Sequence, residues 1–173
     1  MILSLIGAVA AAILAFSILI IVIVARSLVR GAPYVPSSEA KIGEMVRLAA
    51  IRPGERVADF GSGDGRVVMA LARAGAEAHG FEINPILVWL SRRKIRAAGL
   101  RDRAHIHYQS FWRVNAGAFD VVVVFGISHI MPALERKLRR ELKSRARVVS
   151  NAFAFPQWSP ARVEDSVYRY DQI

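Results

Sequence analysis

The sequence predicts an α/β fold: a mostly parallel sheet with helices on both faces, preceded by one long apolar helix. Three observations predict it. Short apolar runs alternate with helical patterns from residue 37 onward, which is the chain order of βαβ units. A turn carrying Gly61, Gly63 and Gly65 joins the first of these runs to the helix behind it, and glycine supplies the backbone freedom that so tight a turn needs. The run Phe119-Asp120-Val121-Val122-Val123-Val124-Phe125 has the composition of a strand covered on both faces. A length of 173 residues leaves room for one domain and an appendage.

The appendage comes first. Residues 2–25 carry no charge; as a helix they would extend about 36 Å, against about 30 Å of bilayer hydrocarbon. They are expected to form a transmembrane anchor. A secretory leader is the competing reading, but it would need a basic segment ahead of a shorter apolar core, and no Lys or Arg precedes this one. Arg26 and Arg30 follow directly, which places the rest of the chain on the cytoplasmic side, or the matrix side in a mitochondrion. Residues 26–36 read as a basic, proline-bracketed connector ending in Gly31-Ala32-Pro33-Tyr34-Val35-Pro36. It is short enough to keep the following domain, residues 37–173, close to the membrane.

Within the domain, Ser37 or Ser38 can cap a helix whose apolar face is Ile42, Met45, Val46 and Ala49, and Pro53-Gly54 then turns the chain into the first strand, residues 57–60. Val67, Ala70 and Leu71 give the next helix its buried face, and residues 78–82 form the second strand. Asn84 and Pro85 suit an N-cap and first helical residue, opening a helix that runs through Leu87, Leu90 and Ile95 to Gly99. Residues 104–108 read as the third strand and 119–125 as the fourth. Met131, Leu134, Leu138 and Leu142 share one helical face. Residues 146–153 make the fifth strand, and residues 166–170 can add a last, antiparallel one.

Composition narrows the chemistry. The absence of cysteine removes disulfides, thiolate metal sites and cysteine nucleophiles. The four histidines, at 79, 105, 107 and 129, form no ligand motif, so no metal site is assigned. The net charge of +10 resides in the part after the span, concentrated in Arg92-Arg93-Lys94-Ile95-Arg96, Arg101 to Arg103 and Arg136-Lys137-Leu138-Arg139-Arg140. Such charge fits an anionic membrane leaflet, a nucleic acid or simply a solvated basic face.

The spacing in Asp59-Phe60-Gly61-Ser62-Gly63-Asp64-Gly65-Arg66 narrows the ligand. A dinucleotide fingerprint would put its third glycine at position 66, and a phosphate-binding loop would carry Lys-Ser or Lys-Thr; neither is present. Glu82 closes the second apolar run 21 residues past Gly61, about where a carboxylate receives a ribose diol in such units. A ligand with a ribose and no phosphate fits, and S-adenosylmethionine is one.

These two segments, together with Gly80-Phe81-Glu82-Ile83-Asn84-Pro85, Pro33-Tyr34-Val35-Pro36 and Phe155-Pro156-Gln157-Trp158-Ser159-Pro160, resemble a known family. They are similar to class I methyltransferases with a Rossmann-like seven-strand sheet, and within these to the small membrane-anchored protein-lysine methyltransferases that modify the adenine nucleotide translocase and the ATP synthase c subunit, with their archaeal relatives. The resemblance implies that Asp59, Gly61, Ser62, Gly63, Asp64, Gly65, Glu82, Ile83, Asn84, Ser110 and Phe111 bind S-adenosylmethionine. Asp59 would order the loop and the methionine end, Glu82 the ribose, and Phe111 would stack on adenine. Ser110 departs from the family, which often has an acid there. Asn84 has capping as its competing role.

The acceptor is expected to be an accessible lysine of a membrane-associated protein rather than a nucleic acid. Tyr34, Ser128, His129, Phe155 and Trp158 are the candidates to line its channel, with loop or core packing as the alternative for each. Two further readings stay open: methylation of a lipid headgroup or small amine, and a cofactor-binding assembly factor without activity.

Overall fold

The structure, a computed structural model, describes residues 2–30 and 37–173. The chain divides into two units, Met1–Pro33 and Tyr34–Ile173. The first contains one helix, α1 (Ile2–Arg30), which continues through the arginines expected to open the connector. The Ser17 hydroxyl donates to the Ile13 carbonyl at 2.9 Å, so this polar side chain is satisfied within its own helix. Among the described residues no helix is long and apolar enough to cross a membrane; the span expected over residues 2–25 rests on the sequence. The connector at residues 31–36, with Tyr34, lies outside the described residues.

The second unit is a seven-stranded sheet with order β3-β2-β1-β4-β5-β7-β6. β1 (Arg56–Phe60), β2 (Glu77–Glu82), β3 (Ala104–Tyr108), β4 (Val121–Val124) and β5 (Arg147–Asn151) are parallel. β7 (Val167–Asp171) runs antiparallel to β5, and β6 (Arg162–Glu164) antiparallel to β7. Asp165 and Ser166 join these last two with φ of 42° and 62°, the left-handed pair that a two-residue hairpin requires. The expected last antiparallel strand is therefore β7, and β6 is an additional edge strand too short and too exposed to leave an apolar pattern.

Residue parity in the strands separates two apolar layers. Val57, Val121, Val123 and Val149 face α2 (Glu39–Ala49), α3 (Arg66–Arg73) and α4 (Pro85–Ala97). Ala58, Phe60, Val122, Val124 and Val148 face α5 (Met131–Glu141) and the segment around Phe111 and Phe119. Ser38 caps α2, accepting from the Lys41 amide at 3.3 Å; Asn84 caps α4, accepting from the amides of Ile86 and Leu87 at 3.0 and 3.4 Å.

Three expectations shift. β4 and β5 are shorter than the apolar runs that predicted them, because Phe119, Phe125 and Phe153 leave the ladder to pack as aromatic side chains. α4 ends at Ala97, short of the expected Gly99, and buries Val88, Ser91 and Ile95, with Leu87 and Leu90 half-buried. Its inner face is set by Gly65, where a Cβ would come within 2.7 Å of the Ser91 Cβ: the small serine admits the loop.

Candidate active site

The sheet order reverses between β1 and β4, and open α/β sheets bind ligands beyond the carboxyl ends of strands at such a point. Asp59 and Phe60 end β1 there, beside Val123 and Val124 of β4 and Gly80 and Phe81 of β2. The glycine turn follows at once. Gly61, Gly63 and Gly65 all have positive φ, at 85°, 53° and 80°, a region that side-chain-bearing residues rarely adopt. The amides of Gly61 and Ser62 both donate to the Phe81 carbonyl, at 3.0 and 3.2 Å, which lays the turn across the end of β2. Gly80 makes that approach possible. A Cβ there would sit 2.6 Å from the Ser62 hydroxyl and 2.7 Å from Ile106.

Glu82 organises the rim. One carboxylate oxygen accepts from the amides of Ile83 and Asn84 at 2.8 and 2.7 Å, the other from the amide of Gly63 at 3.0 Å. A carboxylate offers about four lone-pair sites, so capacity remains for one further donor. Asp64 is held differently. Both its oxygens are engaged by the Arg66 guanidinium at 3.0 and 3.1 Å, and one also by Lys94 of α4. Burial works to raise the Asp64 carboxyl, but the hydrogen bonds from Arg66 and Lys94 outweigh it and bring it down to about 2. Asp64 thus clamps the loop to α4. Arg66 also donates to the Ser37 carbonyl at 3.1 Å, and the Asn151 amide reaches the Ser37 hydroxyl at 3.5 Å, so the entry to α2, the loop and the end of β5 are tied together.

Among the described residues, two buried polar atoms in this region have no hydrogen-bond partner: the Asp59 Oδ2 and the Ser62 hydroxyl. An unsatisfied buried polar atom is costly, and two within four residues mark a place arranged for something to be bound. Burial, followed by the nearby Glu82 and Asp64 carboxylates, pushes the Asp59 carboxyl up to about 7. A Cβ built on Gly61 would meet nothing within 4 Å, so the loop borders open space there. A ligand bringing hydroxyls and positive charge fits these residues.

Other site candidates fall into two groups. Ser110 precedes a short 3₁₀ turn and makes no capping hydrogen bond, while Phe111 is buried with its ring stacked on Phe60 at 5.3 Å. Phe155 and Trp158 pack on the buried ring of Tyr170, with centroids at 4.9 and 5.2 Å. The Phe155 amide donates to the Tyr170 hydroxyl at 2.9 Å, and the Gln157 amide to Glu135 at 2.9 Å, which pins this loop to α5. Ser128 and His129 are exposed in the turn after β4. Beside them, Phe125 and Phe153 stack at 6.3 Å, both half-buried at the ends of β4 and β5. Neither this pair nor Gly80 is among the site residues the sequence suggests; the signals available were a glycine inside a strand pattern and an aromatic ending each central apolar run.

The family model described as "ANTKMT methyltransferase domain" matches residues 59–162. The mouse lysine N-methyltransferase of the ATP synthase c subunit is 41% identical over 143 residues, 80% of this chain and 58% of that protein. A protein-lysine N-methyltransferase of Saccharolobus islandicus is 33% identical over 133 residues, covering 76% of this chain and 83% of the relative. Among solved structures, an RNA methyltransferase from Salinibacter ruber in complex with S-adenosyl-L-homocysteine is similar with a TM-score of 0.77 and 30% identity, over 79% of this chain and 93% of that one. The chain thus spans about three fifths of the length of the mouse relative.

Proposed function

Because the chain belongs to the ANTKMT methyltransferase family, we propose that it is an S-adenosylmethionine-dependent protein-lysine N-methyltransferase acting on a membrane-associated protein. The observation that carries this reading is the pair of unpartnered buried atoms, Asp59 Oδ2 and Ser62 Oγ, inside a turn of three positive-φ glycines. When bound, the cofactor supplies a methyl group on a sulfonium that is its own leaving group, so the protein needs no nucleophile. Its task is to hold cofactor and acceptor in line.

Asp59 offers a carboxylate to the cationic methionine end, and the remaining lone-pair capacity of Glu82 accepts from a ribose hydroxyl. The Ser110 hydroxyl is the polar group available at the adenine edge, while Asp64 and Asn84 act by fixing the loop and the start of α4. A lysine amine, with an ordinary pKa of about 10.4, must reach the methyl group without its proton, and an apolar lining favours the neutral form. Phe125 and Phe153 give such a lining beside Ser128 and His129. Phe155 and Trp158, packed on Tyr170, are the further candidates to line it.

The proposal includes the anchor and the division into residues 1–25, 26–36 and 37–173. It is supported by the uncharged apolar run of residues 2–25, which as a helix would match the thickness of the bilayer hydrocarbon. The orientation follows Arg26 and Arg30.

A second acceptor, a nucleic-acid base, is favoured by the +10 charge and by the RNA methyltransferase among the similar structures. Mass spectrometry of membrane proteins, RNA and lipids from cells with and without the gene separates the readings. A membrane-protein lysine heavier by whole methyl groups is the expected result. A methylated base instead selects the second reading, an altered headgroup a lipid methyltransferase, and no change a cofactor-binding assembly factor.

A further inference from the structure

We propose that the outer face of α4, around Trp89, is a docking surface for anionic lipid headgroups. A groove of 760 Å³ runs between this face and the end of β3, lined by Trp89, Tyr108, Arg92, Arg93 and Arg96 among others, and by no acidic residue. Trp89 and Tyr108 are 61% and 63% exposed, and Ile86, one turn before Trp89, is 52% exposed. Large apolar groups gathered on one exposed patch mark an interaction surface.

The charges there are uncompensated. Among the described residues Arg93 and Arg96 form no ion pair, whereas Arg139 and Arg140 of α5, a second basic cluster, are paired with Glu135 and Glu141. Lys94, on the inner side of α4, is taken by Asp64. Arg92 donates to the Ile106 carbonyl at 3.1 and 2.7 Å; this caps the edge strand β3 and fixes one wall of the groove.

Trp and Tyr beside unpaired arginines is the composition of a membrane–water interface, and a leaflet rich in anionic lipid attracts such a cluster. Nucleic acid suits the patch less well. Base stacking needs an open ring face, and the Arg93 guanidinium lies 5.7 Å from the Trp89 centroid, covering one. This inference rests on the proposed membrane anchor and adds to it a lipid preference that an apolar helix alone would not have.

The absence of cysteine permits a clean test. Ala97→Cys places a single fluorophore in the groove, and Ser144→Cys, at an exposed turn elsewhere, is the control. The full chain is reconstituted in nanodiscs of phosphatidylcholine, with and without about 30% phosphatidylserine, each carrying a headgroup quencher. The expected result is quenching at position 97 but not 144, only with phosphatidylserine, and weakened by Arg93→Glu with Arg96→Glu. In low salt each lost arginine should weaken docking about fivefold. Equal quenching in both lipids, or quenching indifferent to the arginines, overturns the proposal. Stable co-elution without quenching at 97 overturns it in favour of an acidic protein partner. Co-elution with phosphatidylserine discs alone, abolished by the arginine substitutions, overturns the anchor and keeps the face. Failure to co-elute with either disc overturns both.

Discussion

Asp59 is the residue on which most depends, because its carboxyl is buried, unpartnered at one oxygen and pushed up to about 7. A folded-state value above the ordinary carboxylate value means that the native chain holds a proton the unfolded chain has already released, so stability falls as pH rises from about 4 toward 7. Asp59→Asn removes that dependence. In denaturant unfolding the variant should match the wild type near pH 4 and gain on it steadily up to about pH 7; a difference that does not change with pH would contradict the assignment. Comparing the two proteins cancels the other titrating groups, among them His79 and His107, which burial holds below the usual imidazole range. Asp59 and Glu82 were legible in the sequence because an acid closing an apolar run beside glycines has few other uses. Ser62 was legible as a loop residue, but its unpartnered hydroxyl was not. That depends on Gly80 arriving from another strand.

At the scale of elements, the glycine turn and β2 form one unit, held by two amides on the Phe81 carbonyl and by Glu82 reaching the Gly63 amide. Gly80→Ala puts a Cβ against Ser62 and Ile106. Overpacking of this kind costs about 1–3 kcal/mol, and the loop must lift to relieve it. Urea unfolding should report that loss, with S-adenosylmethionine affinity reduced as well; an alanine variant as stable and as tight as the wild type would show that the loop does not need its seat on β2. The central strands and the helices could be read from periodicity, since their burial is regular. The β5–β6 segment could not: its aromatic residues are placed by Tyr170 and Glu135, contacts made across the fold. That is why the packing of Phe155 and Trp158, which the sequence offers as lining residues, on Tyr170 could not be read locally, nor could the stacking of Phe125 on Phe153 at the strand ends.

For the whole molecule, sheet order, the reversal between β1 and β4, and the match over residues 59–162 converge on one cofactor site serving one face of the domain. Among the described residues Arg139 and Arg140 of α5 are ion-paired while Arg93 and Arg96 on the outer face of α4 are not, a difference invisible to a net charge of +10. The family could be recognised from local motifs because they encode the cofactor loop. The acceptor could not, since the lining proposed for it draws on segments far apart in the chain. The proposed activity requires S-adenosylmethionine to sit on the glycine turn between Asp59 and Glu82. Calorimetric titration of the cofactor into the full chain, its Asp59→Ala variant and its Glu82→Ala variant tests this most directly. One bound cofactor per chain is expected, with affinity at least tenfold weaker in each variant, equivalent to about 1.4 kcal/mol, and with the fold retained; unchanged affinity in both variants would contradict the site.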